Sequence, residues 1–152
     1  MSDIRVLLVE TCPSLSQRST LTFQIGTREG EVFIVRLVAN TGKGYFSKDW
    51  VSWLDIQTHL KGSESLSCTT LHPLYIGQSV NSGGFLLAVL RHMGIVQPNA
   101  AVGRSYEVAD LNALMTRMAP LLSSKVSLGL DARPAGIRGR RKLVAMPSPD
   151  AP

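Results

Sequence analysis

Residues 85–90, Phe-Leu-Leu-Ala-Val-Leu, constrain this chain more than any other stretch. They lie in a helical segment, Gly83 to Met93, which Asn81 or Ser82 can cap and Gly94 stops. A helix that is apolar nearly all round has no face for water, so it is buried in a core or covered by a partner. The segment preceding it and the two short strands after it, Gln78 to Val108 in all, form the part around which the rest of the chain is arranged.

The N-terminal third reads as β-structure. Ile4–Glu10 is a short apolar run rich in β-branched residues, which favours a buried strand over a helix. Cys12-Pro13-Ser14 ends it, and Ser14–Arg18 is a polar loop. From Ser19 to Thr27 the pattern alternates, with Leu21, Phe23 and Ile25 on one face and Thr20, Thr22 and Gln24 on the other. Arg28-Glu29-Gly30-Glu31 reads as a hairpin turn. Val32–Ala39 returns with apolar residues on both parities, the mark of a strand that is central or covered on both faces. A three-stranded, mainly antiparallel sheet is expected over residues 4–39.

Ser47 is the expected N-cap of a helix over Lys48–Leu60, with Asp49 in its first turn and Lys61-Gly62 closing it. Trp50, Trp53, Leu54, Ile56 and Leu60 give this helix an apolar stripe. Two tryptophans three apart can stack on bases, but the spacing is that of core residues. Ser67–Leu71 is short and β-prone, and Leu74–Ile76 starts a single helical turn. After the apolar helix come a strand at Ile95–Gln97, a loop at Pro98–Gly103 and a return strand at Arg104–Val108. Asp110 caps a last helix, Leu111–Leu122, with Leu111, Leu114, Met115 and Met118 inward and Pro120 weakening its end.

Taken in order, residues 47–108 resemble the winged-helix domain family. The matching parts are Ser47–Leu60 as a first helix, Cys68–Leu71 as a small strand and Leu74–Gln78 as a second helix. Ser82–Met93 is the third, and Ile95–Gln97 and Arg104–Val108 flank the wing. The phrase VLRHMGIV…GRSYEV looks like a third helix passing into that wing. The resemblance implies an α+β fold, with the N-terminal three-stranded antiparallel sheet packed with a winged-helix-like helical part. It also implies DNA binding, which most of the family perform. The residue chemistry departs from the family at one point. A helix that reads a groove presents Arg, Lys, Asn, Gln or Ser, whereas Phe85–Leu90 is apolar. The helix ends (Asn81, Ser82, Arg91, His92) and wing residue Arg104 are left to touch nucleic acid. Gly83 and Gly84 allow close approach to a phosphate, or equally to another chain.

The expected organisation is one α+β domain over residues 1–124: a sheet part at 1–41, a winged-helix-like part at 45–108 and a terminal helix at 110–122. Residues 125–152, rich in Gly, Pro, Ser and Arg without periodicity, read as a flexible basic tail. Charge agrees with that division. The net charge is +5, and the six bases and two acids from Lys125 onward carry +4 of it. The cluster Arg138-Gly139-Arg140-Arg141-Lys142 suits phosphate contact without sequence readout, or simply keeps the chain in solution.

Other classes find little support. No window approaches the roughly 18 apolar residues of a membrane span. The acid before the first apolar run and the Glu after it argue against a signal peptide. Two cysteines, Cys12 and Cys68, make no disulfide framework and point to a reducing, cytoplasmic setting. Gly42-Lys43-Gly44 lacks the spacing of a phosphate loop. Cys68 and His72 are too few for a metal site, and no nucleophile signature is present, so neither an enzyme nor a cofactor is expected. The leading expectation is a small nucleic-acid-binding or DNA-associated accessory protein contacting phosphate through Ser82, Arg91, Arg104, Arg138, Arg140, Arg141 and Lys142. The alternative is a protein-interaction module, a homodimer or a small inhibitor or adaptor, docking through Phe85–Leu90 with no nucleic-acid role.

Overall fold

The computed structural model describes residues 4–28, 32–42, 46–62, 65–67, 69–75, 81–101, 103, 105–130 and 132–134. Four strands form an antiparallel meander in chain order: β1 (Ile4–Pro13), β2 (Thr20–Arg28), β3 (Val32–Asn40) and β4 (Val51–Ser52). The fourth strand corrects the expected count of three. Val51 and Ser52 pair with Val35 and Ile34, so the segment expected to start a helix at Lys48 first closes the sheet. Helix α1 then runs Trp53–Lys61, and Ser52 rather than Ser47 caps it, its Oγ accepting the Asp55 N–H at 3.1 Å.

Alternation in the strands sorts two faces. Leu21, Phe23 and Ile25 of β2 and Phe33, Val35 and Leu37 of β3 join Trp53, Ile56 and Leu60 of α1 in one buried core. Helix α2 (Asn81–His92) completes that core with Leu86, Leu87, Ala88, Val89 and Leu90, all buried. The apolar helix is therefore covered by its own chain. Gly94, at φ +85°, ends it: Gly94 N–H returns to the Arg91 carbonyl and Ile95 N–H to that of Leu90. Phe85 is half-buried, edge-on to Phe46 with ring centroids 6.1 Å apart.

Downstream, β5 (Val96–Pro98) and β6 (Tyr106–Val108) form a hairpin. Leu66 exchanges two backbone hydrogen bonds with Tyr106, at 2.9 and 2.8 Å, so β6 lies between Leu66 and β5. This pairing replaces the strand expected at Ser67–Leu71. There the Thr70 side chain and backbone close a turn on Ser67, followed by one 3-10 turn at His72–Tyr75. Helix α3 (Ala113–Ser123) buries Leu114 and Met118. Met115, expected inward, is 44% exposed. Asp110 does not cap the helix directly; its Oδ1 accepts the Asn112 N–H one turn early.

The second face of the sheet carries Val6, Val9, Gln24, Ile34 and Arg36. All but Arg36 are buried, and none of the five belongs to the helix-side core. The segment after α3 lies against this side of the molecule. Arg5 donates to the carbonyls of Leu121, Leu122, Ser124 and Val126. Leu128 N–H then bonds the Val6 carbonyl at 2.8 Å, and the Leu130 carbonyl meets Gln24 and Arg36. Residues 125–130 and 132–134, expected as the start of a flexible tail, thus form a strap that rounds the free edge of β1 onto the sheet. The strap meets β3 at Arg36, on the parity opposite Phe33, Val35 and Leu37. Chain crossing is tight elsewhere on the sheet too: a Cβ on Gly26 would fall 2.6 Å from the Arg5 carbonyl oxygen, so only glycine fits there.

Candidate anion-binding cleft

Of the residues expected to contact phosphate, two are among those described. Ser82 is wholly buried, and its Oγ accepts the Ser47 N–H at 2.7 Å. It joins α2 to the segment before β4 and has no exposed surface in this structure. Arg91 is half-buried in the last turn of α2. Arg104, Arg138, Arg140, Arg141 and Lys142 lie outside the described residues, as do Lys43, Gly44 and Cys68.

The end of α2 is tied to its neighbours by charge. Glu10 of β1 accepts from both His92, at 3.2 Å, and Arg117 of α3. His92 also stands edge-on to Phe23, at 6.0 Å between centroids. Nearby, burial pushes the Cys12 thiol up to about 11; the Arg91 charge opposes that shift and the Glu10 charge adds to it. A thiol so placed stays protonated at neutral pH and is a poor nucleophile. Among the described residues no cluster of His, Cys, Asp or Glu could hold a metal ion.

A different arrangement is found on the strap side of the sheet. Gln24 and Arg36 are register partners on β2 and β3. The Arg36 Nε donates to Gln24 Oε1 at 3.0 Å, which fixes the two side chains as a unit. Gln24 Nε2 and Arg36 Nη2 then converge on one oxygen, the Leu130 carbonyl, each at 2.8 Å. The Arg36 guanidinium lies 4.6 Å from the centroid of the Trp50 ring, a cation–π contact that holds it flat. Trp50 therefore precedes α1 and leans on the sheet rather than joining the expected helical stripe.

Around this unit is an open cleft of about 480 Å³, walled by Thr22, Gln24, Arg36 and Val38 of the sheet, Lys48, and Leu130, Ala132, Arg133 and Pro134 of the strap. Lys48 and Arg133 are exposed cations at its margin. Asp131, between the lining residues Leu130 and Ala132, lies outside the described residues; neither ion pair among the described residues involves Arg36. Burial lowers the pKa of Arg36 from its ordinary value. It keeps its proton, because an arginine titrates far above neutrality. The result is a partly desolvated cation whose described partners, an amide, a carbonyl and an indole, are all neutral. Arginine forks generally pair with planar or tetrahedral oxyanions; here Arg36 Nη2 and Gln24 Nε2 are engaged by the Leu130 carbonyl.

Sequence reading alone passes over these residues. Gln24 and Arg36 had a visible signal: they are equidistant from Gly30 in an evident hairpin and share the non-core parity. Lys48 and Arg133 had none, since only the fourth strand and the strap bring them to the cleft. Comparison with protein-family models, with curated proteins and with solved structures finds no match to this chain.

Proposed function

We propose that this protein is a small nucleic-acid-binding accessory protein that grips backbone phosphate, and that its helix-and-wing half serves as a scaffold. The observation that carries this reading is Arg36: a part-buried cation whose described partners are neutral, with Lys48 and Arg133 exposed on the same open cleft. The sequence adds to it. Arg138 follows Pro134, the last strap residue in the cleft wall, by four positions, a span of at most about 14 Å. The Arg138–Lys142 cluster can thus continue the track of positive charge that begins in the cleft. The order of elements over residues 47–108, with Leu66, β6 and β5 side by side, supports a winged-helix-like scaffold. Arg91 and Arg104 would add phosphate contacts at its margin. A reducing, cytoplasmic setting suits the buried Cys12 thiol.

The competing reading, docking through Phe85–Leu90, is less favoured, because Leu86–Leu90 are buried in this chain's own core and Phe85 is half-buried. The large apolar side chains exposed elsewhere, among them Leu54, Met115 and Leu130, sit on separate elements.

The test is a salt titration of the purified chain against labelled single-stranded and duplex DNA, followed by fluorescence anisotropy. Affinity is expected to fall steeply with salt and with little dependence on base sequence. Each phosphate contact to a single strand contributes about 0.7 to the log–log slope. Arg140→Ala with Arg141→Ala should therefore flatten the slope by roughly 1.4. Absence of binding at low salt overturns the reading.

A further inference from the structure

We draw no further inference here: the strongest candidate, the buried Tyr75 hydroxyl left without a hydrogen-bond partner where the 3-10 turn packs on α2, is joined to that helix by residues 76–80, which lie outside the described residues, so nothing in the structure shows what ligand it would face.

Discussion

Ser82 has no charge and no exposure, and its single hydroxyl joins segments 35 residues apart. Ser82→Ala would strand the Ser47 N–H in the interior and cost about 1–3 kcal/mol. The urea midpoint should fall at unchanged slope, with affinity for an oligonucleotide unaltered. A loss of affinity at full stability would return Ser82 to the binding surface. At the sequence level a serine at a helix start looks the same whether it caps, touches phosphate or receives a distant N–H. The partner is what separates these roles, and no local pattern names Ser47. Gln24 and Arg36 are the opposite case: strand period and hairpin symmetry suffice to place them side by side. Why they matter depends on Leu130, which the pattern leaves in a tail.

Among the elements, α3 shows how a single residue on another strand can finish a helix. The last carbonyls of a helix lack partners and carry negative partial charge. Arg5 of β1 answers both needs, with bonds of 2.5–3.3 Å to Leu121, Leu122, Ser124 and Val126. Arg5→Met should cost about 2–3 kcal/mol in urea unfolding, given the usual strength of hydrogen bonds to charged groups. Amide exchange should quicken at Ser124 and Leu128 and stay unchanged at α2. Uniform quickening across α2 would mean that Arg5 serves the whole core instead. Strands β1, β2 and β3 were legible because period-2 alternation is a local property, and α2 because its apolar run is long. The boundary between β4 and α1 was not, since pairing of Val51 with Val35 overrides a good cap at Ser47. In the strap, Val126, Leu128 and Leu130 alternate as a strand would, but the surrounding Gly, Ser and Pro conceal it.

At the scale of the whole molecule, the strap ties the segment after α3 back to β1 and the sheet. A chain stopped after Pro134 should unfold at the same urea concentration as the full one. A chain stopped after Ser124 should lose on the order of 5 kcal/mol, from the hydrogen bonds at Val126, Leu128 and Leu130 and the side chains re-exposed with them, such as Val6. That is comparable with the entire stability of an ordinary domain, so this shorter chain is expected to aggregate. Equal stability of both truncations would show that the sheet needs no second cover. The same feature also sets a clock. Arg5 and Val126, bonded in the finished fold, are 121 positions apart. At the usual pace of synthesis the ribosome needs about 6–24 s to cover that distance. The first strand is made early and waits for Val126 before its Arg5 side chain finds its partners. Closure of β1 therefore waits until Val126 has been made, and a nascent chain stalled before Val126 presents an open strand to whatever chaperone stands at the tunnel exit.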